Sequence, residues 1–281
     1  MCLLVLAWQA HPRYRLVVAA NRDEFHERPT AALAKWPAPA EILAGRDLRA
    51  NGTWLGLDHR RYFGVITNFR ELQPPRPEAP SRGALIPRYL TDGSPEAPWA
   101  SAASFLNRLE LEASGYSAFN LLLSDGDSLW YASNRAQPFA RELPPGVYGL
   151  SNQFLDTPWP KLRRVRRRFD AWLVHSRGLS GPANASATGL FDLLDDRATA
   201  TADEELPQTG ITPEWERVLS APFVLHPDYG TRCSTVLLLE PSGAGYLAER
   251  RFDSGGARTG ETEFVLASGA WPQAQEPDGL R

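Results

Sequence analysis

The second residue of the chain is Cys2, and the apolar run Leu3-Leu4-Val5-Leu6-Ala7-Trp8 follows it directly. A small residue at position 2 permits methionine aminopeptidase to remove Met1, the only methionine in the chain. Removal would leave a thiol and a free α-amine on one residue. An α-amine titrates near ~8 and a thiol near ~8.5, so the amine can take the thiol proton at neutral pH. That is a nucleophile carrying its own base, suited to acyl transfer. Taken alone, Cys2 reads more simply as a small buried hydrophobe. Three further motifs change the balance: Asn21-Arg22-Asp23-Glu24-Phe25, Gly149-Leu150-Ser151-Asn152 and Tyr229-Gly230-Thr231-Arg232. With Cys2 they offer a thiol, a carboxylate, two amides and two guanidinium groups. Each lies where a strand begins or ends, the place where scaffolds present reactive side chains.

Hydrophobic patterning supplies the elements that must hold these groups. Residues 1–8 and 16–20 read as a hairpin around His11-Pro12-Arg13. A turn centred near His11-Pro12 sets Cys2 opposite Asn21 and within two residues of Asp23, and a slip of a residue or two in either direction still leaves Asn21-Arg22-Asp23-Glu24 at the open end beside Cys2. A second hairpin is expected over 51–58 and 62–68, and helices over 83–90 and 99–111, with a Pro-rich loop at 73–80 before them. Strands follow at 118–123, 128–131 and 146–150. A basic helix covers 160–174, and shorter helices 187–194 and 213–219. The chain closes with strands at 234–239, 245–252 and 261–266, and a frayed tail at 270–281. Hairpin-joined strands imply largely antiparallel sheets. The expectation is an α+β protein, two antiparallel sheets face to face with helices outside, as a single domain over 1–281.

Composition narrows the function classes. A net charge of −3 and an ordinary 22% of charged residues give no footprint for nucleic acid or an anionic membrane. The first residues lack a basic start and are broken by Gln9-Ala10-His11-Pro12, so they read as a strand rather than a signal peptide or membrane helix. Two cysteines, Cys2 and Cys233, make no disulfide framework, which fits a reducing, cytoplasmic location. Cys233 reads as a packed strand residue. The five histidines, His11, His26, His59, His175 and His226, have no metal-ligand spacing, and no metal is expected. Arg163, Arg164, Arg166, Arg167 and Arg168 read as the wet face of an amphipathic helix. Lysine occurs only at Lys35 and Lys161, attributed at this point to genomic base composition.

The Asn-Arg-Asp-Glu tetrapeptide resembles the signature of the NRDE family, also called the transport and Golgi organisation 2 family. The likeness extends through Arg28-Pro29, Gly52-Thr53-Trp54-Leu55-Gly56, Thr67-Asn68, Arg82-Gly83, Phe119-Asn120-Leu121, Tyr148-Gly149-Leu150-Ser151-Asn152, Thr157-Pro158-Trp159-Pro160-Lys161 and Tyr229-Gly230-Thr231-Arg232. Asn51 departs from it, standing where the pattern usually has glycine. That family in turn resembles the N-terminal-nucleophile hydrolases of the choloylglycine hydrolase and penicillin V acylase branch. The resemblance implies an αββα sandwich and an amidohydrolase acting on non-peptide linear amides after Met1 removal. It implies Cys2 as nucleophile, with Asp23 orienting the α-amine and Asn21 beside it. Asn152 and Asn68 would serve the oxyanion. Ala20 stands where the branch has its thiol-polarising arginine, so Arg22 or Arg232 must do that work. An acyl slot is expected among Trp54, Phe63, Phe69 and Tyr148.

The family resemblance also implies an alternative that keeps the fold without the chemistry: a haem or lipid and acyl-coenzyme A carrier, with His26 and Cys2 as axial haem candidates. An interaction protein acting through the arginine-rich helix ranks third. Partners are therefore expected to be a small-molecule amide or a hydrophobic ligand, with no nucleic acid and no stable membrane insertion. No cofactor is required, and haem enters only as a ligand.

Overall fold

The computed structural model describes residues 2–71, 78–91, 99, 101–178 and 181–273. Most of the Pro-rich loop and of the C-terminal tail lies outside these residues.

The apolar run after Cys2 becomes β1 (Cys2–Trp8), and its lack of polar alternation has a direct cause. Leu4, Leu6 and Trp8 face one apolar cluster, while Leu3, Val5 and Ala7 face another. A strand covered on both sides reads as a continuous hydrophobic run. The partner β2 (Leu16–Phe25) divides the same way, Leu16, Val18 and Ala20 to one side and Val17 and Ala19 to the other. β3 (Thr30–Lys35), β4 (Leu43–Asp47), β5 (Leu55–Leu57) and β6 (Phe63–Asn68) follow. After α1 (Leu85–Thr91) and α2 (Ala102–Glu110) come β7 (Phe119–Ser124), β8 (Leu129–Ser133), β9 (Ala140–Glu142) and β10 (Gly146–Leu150). The chain continues through α3 (Pro160–Ser176), α4 (Ala183–Leu194) and α5 (Pro213–Val218) to β11 (Tyr229–Leu239), β12 (Gly245–Phe252) and β13 (Arg258–Leu266).

Six strands form one sheet in the order β10-β1-β2-β11-β12-β13, and seven form the other in the order β3-β4-β5-β6-β7-β8-β9. Every pairing in both is antiparallel. The sheets close on a shared core of Leu4, Leu6, Leu57, Phe63, Leu122 and Leu237. Helices α3 and α4 cover the outer face of the first sheet through Leu162, Val165, Phe169 and Leu190. Helices α1 and α2 cover the second through Ile86, Tyr89, Phe105 and Leu109. This is the expected four-layered αββα sandwich.

Two expectations are corrected. The β1–β2 turn centres on Pro12, half a residue later than a centre between His11 and Pro12. The Gln9 amide donates to the Arg15 carbonyl at 2.7 Å, and His11 Nδ1 accepts from the Arg13 and Tyr14 amides. Cys2 therefore pairs with Arg22, and Leu3 with Asn21. A shift of one residue exchanges the faces of a strand. The second correction concerns β3, β4 and β9, which the hydrophobic pattern does not announce. They are short, and β3 and β9 are sheet edges carrying Lys35, Arg141 and Glu142.

The arginine run on α3 is laced to acids. Arg163 faces Glu205, Arg164 and Arg168 share Asp196, and Arg166 reaches Asp156 and Asp170. Among the described residues no helix is long and apolar enough to cross a membrane.

Candidate active site

The register of β1 and β2 sorts the polar tetrapeptide between two layers. Cys2 and Arg22 face the space between the sheets, in line with Leu4 and Ala20. Asn21 and Asp23 point the other way, towards the helices. Asn21 is wholly engaged there: its Nδ2 donates to the Leu194 and Pro222 carbonyls at 2.9 Å, and its Oδ1 accepts from Ser234 Oγ at 2.6 Å. It ties β2 to α4 and to the segment before β11, away from the thiol.

Asp23 lies one residue past the last β1–β2 pair and is 1% exposed. Its Oδ1 accepts from Thr231 Oγ1 at 2.7 Å. Burial pushes its carboxyl above the usual range, against the opposing charge of Lys161. Its backbone amide favours the Cys2 thiolate. Cys2 is half-buried. Burial raises the thiol, while Arg22 and the Asp23 amide favour the thiolate.

Arg22, like Arg82, acts on this sulfur electrostatically. It stacks on Trp54, 4.4 Å from the ring centroid, and approaches Asp47 at 3.5 Å and Glu24 at 3.8 Å. Asp47 is held more tightly by Arg28 Nε at 2.6 Å. Burial alone would raise the Asp47 carboxyl, but Arg28 and the Ala50 and Arg49 amides outweigh it and hold it below the usual range. Arg232 lies elsewhere. At the irregularity between Thr231 and Cys233 its Nη1 donates to the carbonyls of Phe25, His26 and Arg28 at 2.9–3.2 Å. It clamps the turn between β2 and β3.

Asn152 joins the two sheets at the nucleophile. Its Oδ1 accepts from the Cys2 nitrogen at 3.4 Å. Its Nδ2 donates to the Asn68 carbonyl at 2.8 Å, and its carbonyl accepts from the Arg70 amide at 2.7 Å. Ser151 Oγ donates to the Cys2 carbonyl at 3.0 Å, and Thr67 Oγ1 to the Ser151 carbonyl at 3.0 Å. The end of β6 and the turn after β10 are thus locked around the first residue of β1.

Cys2 opens on a cavity of about 440 Å³ bordered by Arg22, Arg28, Asp47, Trp54, Asn68 and Arg82. Its wall is charged rather than aromatic. Of the four aromatics expected to form an acyl slot, Trp54 alone borders it. Phe63 is buried in the inter-sheet core, Phe69 packs on Phe154, and the Tyr148 hydroxyl donates to the Pro144 carbonyl. Arg82 donates to the Ala118 carbonyl at 2.8 Å and makes no ion pair among the described residues. His26 is outside the wall, its Nε2 lying 3.1 Å from the His226 carbonyl. No group of three or more His, Cys, Asp or Glu among the described residues could hold a metal ion.

Asn51 now has a physical reason. Its φ is +57°, the left-handed region that glycine enters freely and asparagine tolerates best among the others. The adjacent Gly52 is needed for space: a Cβ there would lie 2.4 Å from the Gly83 carbonyl. This contact seats the Arg82-Gly83 segment against the cavity wall.

Sequence reasoning gave Lys161 no role. It sits in the first turn of α3 and is 1% exposed. Its ammonium has no hydrogen-bond partner among the described residues. Burial lowers its pKa to about 8, against the attraction of Asp23 and Cys2. The signal was the rarity of lysine in a chain that otherwise uses arginine.

A family model described as Transport and Golgi organisation 2 matches residues 1–254, and the chain belongs to that family. Its relatives include the Transport and Golgi organization 2 homologs of Mus musculus and Homo sapiens. Each is 33% identical, over 95% of this chain and 100% of its own length. The Transport and Golgi organization protein 2 of Drosophila melanogaster is 29% identical over 89% of this chain and 91% of its own. Among solved structures, a Caenorhabditis elegans N-acylethanolamine-hydrolyzing acid amidase ortholog aligns over 85% of this chain and 93% of its own. Its TM-score is 0.45 and its identity 11%.

Proposed function

We propose that the chain is an N-terminal cysteine amidohydrolase acting on non-peptide linear amides once Met1 is removed. One observation carries this reading. Cys2 borders a 440 Å³ cavity together with Arg22, Asp23 and Asn68, and Ser151 Oγ fixes its carbonyl at 3.0 Å. A purely packed cysteine has no use for such an arrangement.

In the mechanism the thiol proton passes to the α-amine of Cys2, and the sulfur attacks the amide carbonyl carbon. Arg22 and Arg82 favour the thiolate, in place of Arg232, whose Nη1 is committed to three carbonyls. Asp23 orients the amine from the helix side. One Asn152 Nδ2 hydrogen holds the Asn68 carbonyl. The other would donate to the developing oxyanion, with the Asn68 side chain at the cavity wall as second donor. Such a donor lowers a barrier by about 3–4 kcal/mol. The α-ammonium then protonates the leaving amine as the C–N bond breaks, which leaves a thioester on Cys2. Water, deprotonated by the amine, attacks the thioester. The acid leaves and the thiol is restored. The charged wall suits a polar amide better than the apolar slot a haem or lipid carrier would need.

The test uses purified protein. Intact mass reads Met1 removal, and an electrophile panel reads Cys2, with Cys2→Ser as control. Expected are loss of Met1 and a Cys2 that reacts at pH 7 faster than a small-molecule thiol. A chain that keeps Met1, or a Cys2 no faster than the free thiol, overturns the reading.

A further inference from the structure

Lys161 sits where α3 packs hard on the first sheet. A Cβ on Gly149 would lie 2.6 Å from Leu162 Cδ1, so the first turn of this helix presses on β10 beside Cys2. Four charged or titratable groups face the Lys161 ammonium: Asp23 from β2, Cys2 from β1, Arg70 after β6 and Glu216 from α5. Arg70 and Glu216 are already paired with each other at 2.7 Å, both nearly buried, and largely offset one another. What remains for Lys161 is Asp23 and the nucleophile. Asp23 faces Lys161, Thr231 and Arg22, and the Tyr229 hydroxyl donates to its carbonyl at 2.9 Å. A buried amine with no hydrogen bond to protein is costly to retain. Here its largest attraction is to the one carboxylate assigned to the α-amine.

We propose that Lys161 is a positioning residue of the Cys2 centre, a buried counter-charge that keeps Asp23 ionised while offsetting its field at the α-amine. This rests on the hydrolase reading above. Without the cation, burial drives Asp23 to take up a proton and lose its grip on the amine. Were Asp23 to stay ionised without Lys161, less of its charge would be offset, and the amine would be held as ammonium, unable to accept the thiol proton. The pair of Lys161 and Asp23 is neutral as a unit and avoids both outcomes. No proton leaves Lys161 in the cycle: the thiol proton goes to the α-amine and from there to the leaving amine.

The experiment follows the rate of Cys2 alkylation by iodoacetamide against pH, on mature protein confirmed by intact mass. It compares the parent with Lys161→Met, Lys161→Gln and Lys161→Arg, each also in an Asp23→Asn background. The two neutral variants are read side by side, so that one folded example suffices, with melting curves as the check. The expected result is a Cys2 midpoint moved up by one unit or more in the neutral variants, about a tenfold slower reaction below it. Lys161→Arg keeps most of the parent profile. In the Asp23→Asn background the Lys161 effect falls to less than a third. An unchanged midpoint in both neutral variants, or an equal shift with and without Asp23, overturns the inference while the parent's activated thiol leaves the hydrolase reading standing. A parent whose Cys2 behaves as a free thiol at every pH removes both.

Discussion

Replacing Asn152 with alanine separates the structural and chemical duties of one side chain. Asn152 is fully buried, and only one of its side-chain bonds is short, from Nδ2 to the Asn68 carbonyl at 2.8 Å. The contacts from the Cys2 nitrogen and Ser151 Oγ to its Oδ1 are both 3.4 Å, too long to carry much energy. Asn68 is exposed, so its carbonyl can turn to water and the stability loss is that of one hydrogen bond, about 0.5–1.5 kcal/mol. In a domain of this size that lowers the melting temperature by roughly 1–6 °C. The chemical loss is separate. If the second Nδ2 hydrogen meets the oxyanion, amide turnover falls about 100- to 1,000-fold. Iodoacetamide alkylation of Cys2, which builds no oxyanion, changes far less. Calorimetry, a panel of N-acyl amides and alkylation kinetics read the three quantities on one preparation. Undiminished turnover refutes the oxyanion role. An unchanged melt refutes the claim that the Asn68 contact joins the sheets.

Other expectations come from features away from the thiol. Asn51→Gly should leave the melt unchanged or raise it slightly, whereas Asn51→Val should cost about 1–2 kcal/mol at its φ of +57°, as read by chemical denaturation. Glu216→Gln leaves the buried Arg70 without its counter-charge and should cost about 3–5 kcal/mol by the same measurement. Glu249 accepts the Leu33 amide at 2.8 Å, and burial raises its carboxyl. A raised folded-state value means its contribution is complete below the ordinary glutamate range and is lost as pH rises through the folded value. Glu249→Gln should therefore be more stable than the parent at pH 7, with the difference vanishing towards pH 4. A constant difference across that range would contradict this.

Much of the architecture is legible in the apolar pattern because burial on two faces leaves an unbroken mark. The run from Leu3 to Trp8 is both the first strand and the evidence for layers on either side of it. The collinear motifs likewise pointed to the family that the comparison returned. What escaped were quantities set by single-residue geometry. The centre of the Gln9–Arg15 turn decides whether Cys2 meets Asn21 or Arg22, and no periodicity encodes it. Short strands with small or charged residues, such as β4 with Gly45, Arg46 and Asp47, carry too little pattern to stand out. Phe63 and Tyr148 looked like ligand-facing aromatics because a strand end and a core position share the same residue types. Arg232 looked like a polariser until its three carbonyl partners were located. Lys161 was visible all along as an oddity of composition, but only packing says that its end is enclosed.

The alternation along β2 has an evolutionary corollary. Even-numbered side chains from Leu16 to Arg22 serve the gap between sheets, and their odd-numbered neighbours serve the helical coat. Loss or gain of a single codon within that stretch would invert its inventory, sending Asn21 towards Trp54 and Arg22 into apolar surroundings. Such indels should be absent from working homologues, even where individual letters of the tetrapeptide drift.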